Sequence, residues 1–183
     1  DYSSAASDVY KRQGYMDVVM LSEYGINNAV ASLGTAFSQN HMNLMFKLRR
    51  KITFCFDSDE AGLKAAWRAL QISLKNVVDD KTVRFLFLPE GYDPDSFVKE
   101  KGEKEFYKKL DRAMVLESFA FQYLKRGKKL DSPEDIRQII FEFKKILPLV
   151  TSEMLKETLM TKFSSELNIN KEIFLKEDKP EKK

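Results

Sequence analysis

The sequence predicts an α/β domain built on a parallel sheet flanked by helices, followed by an all-α helical part. Three observations carry this. Apolar runs of strand character alternate with stretches of helical period as far as Leu88. One of those runs, Ile52-Thr53-Phe54-Cys55-Phe56, is polar only at Thr53, as a strand buried on both faces should be, and it ends abruptly in Asp57 and Asp59. After Asp93-Pro94-Asp95 the pattern changes to helical periods alone, with no further convincing strand.

In chain order, Asp1 to Gln13 is small and polar and then charged, without a clear period. Within it, Asp8-Val9-Tyr10-Lys11-Arg12-Gln13 resembles the read-through of a transposase adaptor used in library preparation, so residues 1–13 are expected to be a non-native leader. Met16, Val19, Met20 and Tyr24 fall at helical spacing, with Gly25 as the C-cap. Ala29-Val30-Ala31-Ser32 reads as a short buried strand. Ser38 is the expected N-cap of a helix running to about Arg50, carrying Met42, Met45, Phe46 and Arg49. After the Ile52–Phe56 strand, Asp59 or Glu60 opens a helix with the stripe Leu63, Ala66, Trp67 and Leu70. Val83 to Leu88 is the next strand, broken by Pro89-Glu90-Gly91.

Helices are then expected at about Ser96–Glu100, Glu103–Asp111, Val115–Lys125, Pro133–Leu147 and Ser152–Leu167. Ser132-Pro133-Glu134-Asp135 is a helix start with its cap, its N1 proline and acids in the first turn. Ile136, Ile139, Ile140, Phe143 and Leu147 form a stripe that must face partner helices. The tail from Lys176 to Lys183 is all charge and proline, as a linker would be.

Composition bounds the function. With 183 residues and 43% hydrophobic content the chain can bury a sizeable core. Thirty-one Lys and Arg against 28 Asp and Glu leave only +3, so charge alone does not announce a nucleic-acid partner. The single Cys55 excludes an internal disulfide and a cysteine-rich zinc site. No apolar stretch approaches transmembrane length and nothing resembles a secretory h-region, from which a cytoplasmic protein is expected.

The chemistry gathers at strand ends. In an open parallel sheet, ligands sit outside the carboxyl ends of the strands, where Asp57, Asp59 and Asp93 would all lie. Residues i and i+2 of an extended segment point the same way. Two carboxylates about 5 Å apart repel by roughly 3 kcal/mol at an effective dielectric near 20, so the pair asks for a cation, and Mg²⁺ suits oxygen ligands of this kind. The plain alternative is that Asp59 caps a helix and that Asp93-Pro94-Asp95 is a turn followed by an N-cap. The residues by themselves leave both readings open. His41, without a second His or Cys in register, is read as a packing or surface residue, and Cys55 and Trp67 as core. Arg49-Arg50-Lys51 suits a helix C-terminus or a phosphate contact, and Lys125 to Lys129 a solvated loop.

Taken together, Gly14-Tyr15-Met16-Asp17, Ala31 to Ala36, Asp57-Ser58-Asp59-Glu60-Ala61-Gly62 and Asp93-Pro94-Asp95 resemble, in order and spacing, the toprim segment of bacterial DnaG-type DNA primases. The likeness continues to about Leu175. It implies a toprim α/β domain over 14–101, a helical subdomain of the RNA polymerase core over 102–175 and a charged linker over 176–183. It implies a DNA-templated RNA polymerase that makes short primers for replication, acting on a single-stranded DNA template with ribonucleoside triphosphates. Mg²⁺ or Mn²⁺ would be held by Asp57, Asp59 and Asp93, with Asp17 and Asp95 as supporting acids. Zinc would belong to a domain absent from this stretch, as would the contact with the replicative helicase.

The family places a Glu where Gln13 stands, which keeps the shape and loses the charge. The strand expected before it is replaced by Ala5 to Arg12. The chain is therefore expected to be a fragment, inactive in primer synthesis by itself. Other readings are a topoisomerase or nuclease of the same fold, a phosphotransfer domain using Asp57 as nucleophile, and a non-catalytic partner-binding module. A topoisomerase would need a tyrosine on a separate domain, and a phosphotransfer site a hydroxyl residue where Glu60-Ala61-Gly62 stands.

Overall fold

The computed structural model describes residues 19–26, 28–31 and 37–176. Helix α1 covers 19–23 and ends in a Schellman motif: Ile26 N–H donates to the Leu21 carbonyl at 2.8 Å and Gly25 N–H to the Ser22 carbonyl at 3.0 Å. Gly25 supplies the required positive φ of 85°. Residues 29–31 form no strand, and Val30 is 75% exposed, which corrects the expected buried strand there; Ser32 lies outside the described residues. Four apolar or small residues are a strand signal only if a neighbouring strand accepts them.

Helix α2 (Gln39–Leu48) begins as expected at Ser38, whose hydroxyl receives the His41 N–H while His41 Nδ1 receives the Ser38 N–H. His41 is thereby a capping residue. Strand β1 (Lys51–Phe56) leads to α3 (Glu60–Asn76), then β2 (Thr82–Phe87), α4 (Pro94–Lys101) and α5 (Glu103–Asp111). Strands β1 and β2 pair in parallel with Phe56 opposite Phe87, so both end at one level. A two-residue strand β3 (Met114–Val115) adds antiparallel to β2 opposite Phe85 and Arg84. Among the described residues the sheet has the order β1-β2-β3: the expected parallel pairing holds between β1 and β2, and β3 adds an antiparallel strand after Asp95, where none was expected. Two residues leave no alternation to detect.

The pleat sends alternate residues to two apolar clusters. Ile52, Val83 and Phe85 enter the larger one, with Phe54, Phe56 and Phe87 packed against it. Leu86 and Leu88 enter the smaller, with Leu21 and Ile26 from the α1 end and Phe97, Val98 and Phe106 from α4 and α5. Both faces carry apolar cover, more complete on β2 than on β1, where only Ile52 is buried and Thr53 to Phe56 are half-buried, short of the full burial expected there. Arg84 sits among them by sending Nη1 to the Asp111 carbonyl at 3.1 Å.

Helices α6 (Leu116–Leu124), α7 (Pro133–Ile146) and α8 (Glu153–Leu167) follow, with 3₁₀ turns at Leu147–Leu149 and Lys171–Phe174. Ser132 caps α7 with Pro133 at its start, as predicted. The larger core runs unbroken from the sheet into these helices. Phe85 stacks on Phe119 at 4.5 Å between centroids, and Phe143 stacks on Phe163 at 3.8 Å. Ser152 caps α8, receiving the Leu155 N–H at 3.0 Å, and its hydroxyl donates to Asp79 Oδ1 at 2.6 Å in the loop after α3. Among the described residues no helix is long and apolar enough to cross a membrane.

Candidate metal centre

Asp57 follows the last residue of β1, and Asp93 follows β2 after the turn Pro89–Tyr92, closed by the Tyr92 N–H to the Pro89 carbonyl at 3.1 Å. Because the two strands end level, both acids lie at the same edge of the sheet, outside its carboxyl ends. Asp59 is the N-cap of α3: its Oδ1 receives the Gly62 N–H at 2.6 Å. Asp93 is the N-cap of α4: its Oδ1 receives the Ser96 N–H at 2.8 Å and the Ser96 hydroxyl at 2.6 Å. The capping reading of both acids is correct. It does not exclude a second role, since capping engages Oδ1 and a carboxylate has another oxygen to offer.

The carboxylates sense one another. The Asp57 carboxyl is held above the ordinary aspartate range, first by partial burial at the strand end, then by the negative charges of Asp59 and Asp93. Asp95, in the first turn of α4, keeps Oδ1 buried with no hydrogen-bond partner. A buried carboxylate oxygen without a donor is costly, and a cation is one way to satisfy it. Four acids offering only oxygen suit a hard divalent ion. Among the described residues no three His, Cys, Asp or Glu side chains converge to hold a metal alone. The edge therefore fits an ion that completes its shell with water, not one enclosed in a closed protein cage. Asp17 and Gln13, the remaining sequence candidates, lie outside the described residues.

Two residues that sequence reasoning passed over build this edge. The Ser58 hydroxyl donates to the Leu88 carbonyl, tying the loop after β1 to the end of β2. Gly62 presses against the backbone of Asp57, where any side chain would collide. The loop Lys125–Lys129 is more than solvated: Arg126 Nη2 meets Glu60 Oε2 at 2.9 Å, beside Asp59. By contrast Arg49 Nη1 donates to the Leu48 carbonyl at the end of α2, and Arg50 pairs at 3.6 Å with Asp80 in the loop after α3. Trp67 stacks flat on Tyr123 at 4.2 Å, as a packing residue.

A parallel strand pair with acids at its carboxyl edge and helices on both faces defines a toprim-like domain, and residues 13–98 match the family model described as Toprim-like. The chain is 54% identical over 113 residues to the DNA primase of Pseudomonas aeruginosa, covering 61% of this chain and 17% of that protein. It is 38% identical over 157 residues to the Escherichia coli K12 DNA primase, covering 86% and 27%. A solved DnaG primase catalytic domain bound to ssDNA superposes with a TM-score of 0.78 at 38% identity, covering 83% of this chain and 49% of that one. The chain belongs to the bacterial DnaG-type DNA primases and corresponds to a segment of their catalytic core. It spans about a quarter or less of the curated relatives and about half of the solved core. These matches do not favour the topoisomerase, nuclease or partner-binding alternatives.

Proposed function

We propose that this segment supplies the divalent-cation edge at which a primase joins ribonucleotides into short RNA primers on a single-stranded DNA template. The observation that carries the reading is the level ending of β1 and β2, which sets Asp57, Asp59 and Asp93 at one edge of the sheet. Asp57 and Asp59 are the ligands, Asp93 a further one, and Asp17 and Asp95 the supporting acids. The ion is Mg²⁺ or Mn²⁺, and when bound it lowers the cost of charge at the attacking 3′ oxygen and at the leaving pyrophosphate.

The chain's own residues do the positioning. Gly62 and Ser58 hold the loop after β1 against α3 and β2, so that Asp57 and Asp59 keep their separation. Ser96 fixes Asp93 Oδ1 by two hydrogen bonds and leaves the other carboxylate oxygen for the ion. Ribonucleoside triphosphates, the DNA template and, through a further domain, the replicative helicase are the partners, in the cytoplasm. The single-stranded DNA in the related structure supports the template assignment. Residues 14–101 are the toprim part of that core and residues 102–175 its helical part.

Mn²⁺ titration followed by electron paramagnetic resonance tests the reading on the wild type and Asp57→Ala/Asp59→Ala. Loss of binding in the double variant, with the circular dichroism spectrum retained, is expected. Equal binding by both proteins would remove the metal assignment.

A further inference from the structure

We propose that Arg126 is a positioning residue for the acidic edge: by neutralising Glu60 it sets the charge beside Asp59, and so sets how tightly that edge holds a divalent cation. The inference rests on the metal reading of Asp57 and Asp59 given above.

Four side chains form a closed clasp between α3 and the end of α6. Glu60 is the first residue of α3, directly after the cap Asp59, and Trp67 lies two turns further on the same face. Opposite them stand Tyr123 in the last turn of α6 and Arg126 just beyond it. Trp67 and Tyr123 stack at 4.2 Å with 7° between their planes. The Arg126 guanidinium lies over the Tyr123 ring at 6.0 Å and reaches Glu60 Oε2 with Nη2 at 2.9 Å. The approach to Tyr123, at the outer reach of a cation–π contact, favours the side-chain position from which Arg126 meets Glu60.

Stability does not account for this pair. The two side chains are 47% and 59% exposed, and exposed ion pairs contribute little. Nor does α3 need it, since Asp59 already caps the helix and an acid in the first turn suits the helix dipole unaided. What the pair changes is the local charge. An unpaired Glu60 would add a negative charge beside acids that already repel one another, strengthening the pull on a cation. The paired Glu60 adds almost none.

The test is Mn²⁺ binding by electron paramagnetic resonance on the whole chain at low ionic strength, for Arg126→Gln, Glu60→Gln, the double Glu60→Gln/Arg126→Gln and Asp57→Ala/Asp59→Ala. A unit charge about 10 Å from a divalent ion in a water-like dielectric changes its affinity by about three- to fourfold. Arg126→Gln is expected to tighten binding by that factor and Glu60→Gln to weaken it. The double variant should return near wild type, and the differences should shrink at high salt. A purely structural clasp would loosen binding in all three variants, and that result, or no change in any, overturns the proposal while Asp57→Ala/Asp59→Ala still abolishes binding. If Asp57→Ala/Asp59→Ala binds Mn²⁺ like the wild type, the metal reading fails and takes this inference with it.

Discussion

Gly62 lies so close to Asp57 that a β-carbon on it would stand 2.1 Å from the Asp57 carbonyl oxygen. The first turn of α3 is thus seated on the backbone that carries the central acid. Backbone cannot swing aside as a side chain can, so Gly62→Ala must displace α3 or bend the loop. Overpacking of this kind costs about 1–3 kcal/mol. A fall of that size in the unfolding free energy, read from urea denaturation, is expected, together with weaker Mn²⁺ binding. An alanine variant as stable as the wild type would show that the two segments are not in such contact.

Asp59 has two roles that a pair of substitutions separates. Asp59→Ala removes the cap on Gly62 N–H as well as the charge, at a cost of about 0.5–2 kcal/mol. Asp59→Asn keeps an oxygen that can cap and removes only the charge. Denaturant unfolding should find the asparagine variant near the wild type and the alanine variant weaker, while Mn²⁺ titration should find both impaired. If Asp59→Asn binds Mn²⁺ normally, Asp59 is a cap and nothing more.

The raised Asp57 carboxyl carries a definite sign in pH dependence. Its folded-state pKa lies above the unfolded one, so in the window between them the folded protein holds more protons. The cost of ionising Asp57 in the fold is absent below the unfolded pKa and is fully incurred above the folded one. Asp57→Asn should therefore raise the melting temperature at pH 7, and the gain should vanish as pH falls below the ordinary aspartate range. Mn²⁺ affinity of the wild type should drop in acid at a higher pH than a normal aspartate would give. A melting-temperature difference constant from pH 3 to pH 7 would contradict this assignment.

Ser152 couples the helical part to the sheet by capping α8 and bonding Asp79 at once. It is only 8% exposed. Ser152→Ala loses the cap and leaves Asp79 without this donor, which together cost about 1–3 kcal/mol. Hydrogen exchange should show faster opening at both the start of α8 and the loop after α3. Acceleration confined to α8 would mean that the Asp79 bond carries no coupling.

Much of this protein is encoded in local signals. The caps Ser38, Asp59, Ser132 and Ser152 and the stripes of α3 and α7 act within a few residues of themselves. They therefore determined the helices, and the nearly continuous apolar runs of β1 and β2 determined a sheet with apolar cover on both faces. The four acidic and glycine-bearing motifs marked the family and the acids at the strand ends. Only tertiary structure decided that β3 joins as an antiparallel edge, that Val30 stays exposed, and that Arg126 crosses 66 positions of sequence to Glu60. The same is true of Gly62 against Asp57. Of the two acids that end β1, Asp57 follows the strand and Asp59 caps a helix, and both placements are local. What brings them to one edge with Asp93 is the level register of Phe56 and Phe87, a pairing between segments distant in sequence that no local pattern encodes.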